Sequence, residues 1–285
     1  MTICIAAITS ELKLIPYEDL IVVASDTKVS FGSHSAENTI KAESVHECWG
    51  IMFAANDITQ ATPVIDRVRE LLQGQQGTLQ QLKSAFKKAY QEQVREIVSD
   101  TLLSPFGMSL DDFRKKGSKQ LPAQTCLSIA QQIRDFDFGC QFLGYGFDPQ
   151  KRPHIITVDN PGNISVWDKP GFCAIGSGSP AALTVFSLMG QAAEKTTFQE
   201  TIYNVLAAKY MSEGADGVGK ETFFFVKKYK SAAMMMSLKV EPEMRKLWES
   251  RGRPKLPGEI AELKELIRRA NIRFLVNGKE ETIKY

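Results

Sequence analysis

Paired cysteines are what this sequence most plainly lacks. Its five cysteines, Cys4, Cys48, Cys126, Cys140 and Cys173, are odd in number, scattered over 285 residues and free of CxxC spacing. That pattern argues against a disulfide framework and against a zinc site, and leaves buried thiols in a reducing compartment as the expectation. Histidine is scarcer still, with three widely separated residues, so no metal motif is legible and neither a metal nor a cofactor is expected. Charge of one sign is also missing: 35 basic residues stand against 33 acidic ones, a net +2 that gives no footprint for nucleic acid. The start has no basic segment, and Glu11 and Lys13 soon interrupt its apolar run, so it does not read as a secretory signal. The longest uncharged stretch, Pro170 to Ala193, reaches membrane-spanning length but carries Gly176-Ser-Gly-Ser-Pro180 at its centre. A strand, a tight turn and a helix account for it better, and a cytoplasmic protein with no membrane partner is the expectation.

What is present is a regular alternation of short strands and helices. Residues 2–8 and 20–25 are β-branched-rich runs that predict an antiparallel hairpin. The stretch from Asp26 to Thr39 reads as an irregular turn, and Lys41 to Ala55 as two strands turning near Glu47. Apolar residues at three- and four-residue spacing predict helices over 58–73 and 78–100, with Thr78 as an N-cap. Residues 101–137 carry Pro105, Gly107 and a KKGSK segment and read as a partly helical insertion. Strands are then predicted at 138–147, 153–158, 163–167 and 172–175, helices at 180–193 and 197–213, the latter amphipathic, and a strand at 222–227. Strands, two helices, strands, two helices and strands together favour two stacked antiparallel sheets with a helical pair on each outer face. Beyond 235 the composition turns charged and helix-forming, with a short helix, a longer one at 258–270 and a final hairpin around Asn277-Gly278. The domain expectation is therefore 1–235, with 236–285 as a C-terminal extension.

Chemistry enters at Thr2. A small residue after Met1 permits removal of Met1, which would leave an α-amine and a hydroxyl on one residue. An α-amine with an unperturbed pKa of about 7.7–8.0 can accept the hydroxyl proton, so one residue supplies nucleophile and base. Gly176-Ser-Gly-Ser179 is not a Walker loop, since no lysine follows it.

Read together, these motifs resemble the proteasome β-type branch of the N-terminal nucleophile (Ntn) hydrolases, over roughly 2–100 and 138–226. Thr2-Ile-Cys-Ile resembles the catalytic first strand, and Val22-Val-Ala-Ser-Asp26 the strand that ends in the family's catalytic Asp. Lys41 falls near the family's active-site lysine, Gly50 to Asp57 resembles the strand entering the first helix, and Gly144 to Asp148 with the GSGS turn resembles the second half.

The resemblance implies an α+β, four-layer αββα sandwich and a threonine-type amidohydrolase, a peptidase acting through an acyl-enzyme on Thr2. By the same resemblance Lys41 activates Thr2, Asp26 holds Lys41, Ser177 anchors the amine, and the backbone N–H near Ala55 forms the oxyanion hole. The second acid is assigned to Asp216 over Glu213. The implied partners are a peptide or protein substrate and further copies of the chain in a homo-oligomer. Activation would need only Met1 removal. The alternatives are a non-catalytic proteasome-like scaffold or a transpeptidase using the same acyl-enzyme. The sequence departs from the family in a long first hairpin, in Ala55-Asn56 where a glycine pair is usual, in the 101–137 insertion and in the C-terminal extension.

Overall fold

The structure is a computed structural model, and it describes residues 2–11, 18–31, 34–37, 39–231, 234–235, 240–251, 273–276 and 279–282. Strands β1 (Cys4–Glu11) and β2 (Glu18–Asp26) form the predicted hairpin, in the register Cys4 to Ser25. Where an irregular turn was expected, β3 (Lys28–Phe31) and β4 (His34–Glu37) make a second hairpin. Gly32-Ser33 between them is a two-residue hairpin signal that the polar composition of the stretch obscured. β5 (Ala42–His46) and β6 (Trp49–Ala55) follow, then α1 (Ile58–Leu72) and α2 (Leu79–Val98). Thr78 caps α2 as expected, in a reciprocal box with Gln81.

The insertion is largely helical. A π-helical turn and a 3₁₀ turn over 99–106 lead into α3 (Leu110–Gln120) and α4 (Ala123–Arg134), which gather a small core of their own around Val98, Leu103, Leu110 and Ile129. β7 (Cys140–Phe147), β8 (Pro153–Asp159), β9 (Asn163–Val166) and β10 (Phe172–Ile175) come next. After them come α5 (Ser179–Met189), α6 (Phe198–Ser212), β11 (Thr222–Lys227), β12 (Met234–Met235) and α7 (Val240–Arg251). α5 ends four residues before the predicted boundary because Gly190, at φ 61°, closes it in the left-handed conformation that glycine adopts most easily. Strands β13 (Arg273–Val276) and β14 (Lys279–Thr282) pair as the expected final hairpin; its turn and the expected helix at 258–270 lie outside the described residues.

One five-stranded sheet has the order β10-β1-β2-β11-β12 and the other β5-β6-β7-β8-β9. Strand periodicity explains how they stack. Ile3, just before β1, and Ile5 and Ala7 on it face α5 and α6, whereas Cys4, Ala6 and Ile8 face the opposite sheet. On β6, Ile51 and Phe53 meet α1 and α2, and Met52 and Ala54 turn inward. Both faces of the central strands are buried, which is why their sequences read as unbroken apolar runs rather than alternating ones. The result is the αββα sandwich that the resemblance implied.

The helix α6 departs from its expected amphipathic character. Thirteen of its fifteen residues are buried, Lys209 among them, because α5 packs beside it, the sheet lies beneath it, and α7 adds Val240 and Met244 to the same core. No helix among the described residues is long and apolar enough to cross a membrane.

Candidate active site

Antiparallel pairing of β1 and β2 brings the start of one strand to the end of the other, so Thr2 and Asp26 become neighbours although 24 residues separate them. The Asp26 backbone N–H donates to the Ile3 carbonyl at 3.2 Å, which fixes this end of the hairpin. Lys41 belongs to the facing sheet, where its carbonyl accepts from Phe53 N–H at 3.3 Å just before β5 begins. Its side chain bridges the gap between the sheets.

The three side chains converge. Lys41 Nζ lies 2.8 Å from Asp26 Oδ1 and also donates to Thr2 Oγ1, while the Thr2 hydroxyl donates to Asp26 Oδ1. All three are buried, with Asp26 fully so. A carboxylate removed from water is tolerable only when its oxygens are occupied, and those of Asp26 are. Oδ1 accepts from Ile3 N–H at 3.0 Å as well, and Oδ2 from Lys28 N–H at 3.2 Å and Gly219 N–H at 3.1 Å.

Ser177 sits in the turn after β10, where Gly178 N–H donates to the Thr2 carbonyl at 3.3 Å. The Ser177 hydroxyl lies 3.4 Å from the Thr2 carbonyl oxygen and 3.2 Å from the Asp216 carbonyl oxygen, so it is poised to donate to either. The Asp216 residue is exposed and contributes this backbone carbonyl, while Glu213 is committed elsewhere, to Lys209 and Arg245. Neither carboxylate is placed beside Thr2 by these bonds.

Ala55 stands at the end of β6. Asn56 N–H donates to Gly139 O at 3.0 Å toward β7, and Phe53 N–H points the other way to Lys41 O. Alternation gives Ala55 the direction of Phe53, and β5 does not extend that far. Its N–H is thereby directed away from β7, and Ala55 itself lines a cleft of about 420 Å³ together with Thr2, Gly139, Gln141 and Ser177 among others. A donor so placed suits an oxyanion, a role worth about 3–4 kcal/mol in comparable sites.

Two thiols lie close enough to compete as nucleophiles, and burial disarms both. Desolvation pushes Cys4 up to about 12, against the opposing pull of Lys41, and pushes Cys140 in the cleft wall up to about 12. Each is a protonated thiol at neutral pH. Among the described residues no group of three or more His, Cys, Asp or Glu is placed to hold a metal ion.

Gly176 has a steric reason to be glycine. Its φ is +94°, and a Cβ there would sit 2.3 Å from the Thr2 carbonyl oxygen. Gly176→Ala should destabilise the fold by about 1–3 kcal/mol from backbone strain alone and displace Thr2. Urea melts paired with the rate of modification by a hydroxyl-directed electrophile will read both effects.

The sequence pointed to Thr2, Asp26, Lys41, Ser177 and Ala55, and the structure brings these together. It passed over Gly219, whose N–H completes the Asp26 shell, and over Lys209 behind it. Gly217-Val-Gly219, a turn directly after the suspected acid, was the available signal for the first. Lys209 gave none, because a Lys followed by Glu four residues later looks like a solvated helix pair.

A family model described as proteasome subunit matches residues 100–215, a stretch that includes Ser177 but not Thr2, Asp26 or Lys41. Among solved structures the chain is similar to the Anbu (Gly-1) mutant from Hyphomicrobium sp. strain MC1. The TM-score is 0.59 and the identity 12%, over 88% of this chain and 94% of that one. No curated protein sequence matches.

Proposed function

We propose that the chain, whose fold is like that of proteasome subunits, is an N-terminal nucleophile hydrolase and a threonine-type amidohydrolase acting on peptides. The observation that carries this reading is the buried triangle of Thr2 Oγ1, Lys41 Nζ and Asp26 Oδ1 at one end of an open cleft. After loss of Met1, the α-amine of Thr2 takes the hydroxyl proton as Oγ1 bonds to the substrate carbonyl carbon. The Lys41 ammonium stabilises the developing alkoxide, and the Ala55 N–H receives the carbonyl oxygen as it becomes an oxyanion. The C–N bond then breaks, the proton passes from the α-amine to the departing amine, and an ester to Thr2 remains. Water attacks that ester and restores the hydroxyl. Asp26 holds the Lys41 side chain against Thr2 throughout.

The described residues that line the cleft include Asp137 and Asp159 but no Lys, Arg or His. A peptide with a cationic side chain next to the scissile bond fits that lining better than an acidic one. Homo-oligomeric assembly belongs to the same reading. The deciding experiment treats the protein with an electrophile selective for N-terminal threonine, maps the adduct, and assays reporters bearing Arg, Leu or Glu at the cleaved position. A single adduct on Thr2 and cleavage after Arg support the proposal; no adduct and no cleavage reject it.

A further inference from the structure

Asp26 reaches helix α7 through a continuous set of bonds. Gly219 N–H donates to Asp26 Oδ2 at 3.1 Å, and the carbonyls on either side of the next peptide are gripped from behind. Lys209, fully buried on α6, donates from Nζ to Gly219 O at 2.9 Å, to Lys220 O at 2.7 Å and to Glu213, which uses all three of its protons. Arg245 on α7 grips the same place: it forks onto both Glu213 oxygens at 2.8 and 2.9 Å and donates to Lys220 O at 2.8 Å. Its guanidinium also rests on the Tyr210 ring at 4.3 Å and bonds Glu241 at 3.0 Å.

An ordinary fold does not require an ammonium here. Burial lowers the Lys209 pKa, although Glu213, and Asp26 at longer range, pull it upward. A buried cation costs free energy that an apolar side chain would avoid, so its presence calls for a purpose. What it holds is the loop 217–221, which reaches the active site through the Gly219 N–H on Asp26.

We infer that Lys209 and Arg245 are positioning residues through which the C-terminal segment sets the Asp26 carboxylate, and so the Lys41 and Thr2 geometry, for catalysis. The inference rests on the proposed function for its kinetic consequence, and on Gly219 for a consequence that is independent of it. Helix α7 is on this account a part of the active site's support.

The experiment compares the full-length protein with Lys209→Met, Arg245→Gln and Arg245→Lys, and with Ile65→Ala, a core variant on the opposite helical layer, as the control for lost stability. Lys209→Met should lower kcat and the rate of Thr2 modification by about 10- to 100-fold, the penalty of roughly an ångström of misplacement, with KM little changed. Arg245→Gln should do so to a smaller degree, and Arg245→Lys should recover part of the loss, since one ammonium reaches Glu213 but cannot fork.

In both loss variants the Gly219 amide should exchange with solvent at least tenfold faster, which Ile65→Ala should not cause when compared at equal stability. Wild-type rate and Gly219 exchange in folded Arg245→Gln would overturn the inference, whether or not Lys209→Met folds. A wild-type protein that is never modified at Thr2 refutes the proposed function instead, and Gly219 exchange still decides the relay.

Discussion

Lys41→Ala should leave a folded protein whose Thr2 no longer reacts. Lys41 is the cation that touches Thr2 Oγ1, and its removal takes away both the stabilisation of the alkoxide and the charge that disfavours protonation of the amine. Residues that act as a unit lose most of their effect together, so a fall of at least about a thousandfold in modification rate and in kcat is expected. Asp26 does not become an orphan in this variant, because Ile3, Lys28 and Gly219 still donate to it from the backbone. The fold should therefore survive the loss of the amine, and circular dichroism with a urea melt will check that it does. An activity loss accompanied by unfolding would say nothing of the chemistry; a loss in a folded protein assigns the effect to the ammonium.

Asp26→Ala should have the opposite balance, with stability suffering first. The substitution strands a buried ammonium on Lys41 and leaves the N–H groups of Ile3, Lys28 and Gly219 without their acceptor at one junction of the two sheets. Breaking a buried pair by removing one partner costs about 3–5 kcal/mol, a large fraction of what holds a domain together. The denaturant midpoint should fall sharply. The double variant Asp26→Ala, Lys41→Met should recover part of that loss while remaining inactive, because the second change removes the stranded charge. If Asp26→Ala alone melts like the wild type, the carboxylate is not the buried anchor that these bonds describe.

The sequence carried most of the fold because its local signals agree with its tertiary ones. β1, β2 and β6 are buried on both faces and read as short apolar runs, and α1 buries Ala61, Val64, Ile65, Val68 and Leu72 at helical spacing. Where the reading failed, packing had overridden pattern. The helix α6 was expected to show a wet face, but α7 covers it, and nothing local in Phe198–Ser212 announces a cover supplied some thirty residues later. The hairpin β3–β4 was hidden by its polar composition.

At the site, Thr2, Asp26 and Lys41 were legible as an ordered set. Asp216 shows the limit of that approach: a sequence motif names a carboxylate, whereas the geometry recruits the backbone carbonyl of the same residue. Backbone donors such as Gly219 N–H leave no side-chain signature at all. That is why the second half of the Asp26 shell emerges only in the folded chain.

The central claim is that Thr2 is the nucleophile, and one measurement addresses it most directly. Intact-mass and fragment spectrometry of the native protein, before and after reaction with the threonine-directed electrophile, should find a chain that begins at Thr2 and gains one adduct on that residue. A native chain that retains Met1 on Thr2, or an adduct that forms on another residue, would contradict it.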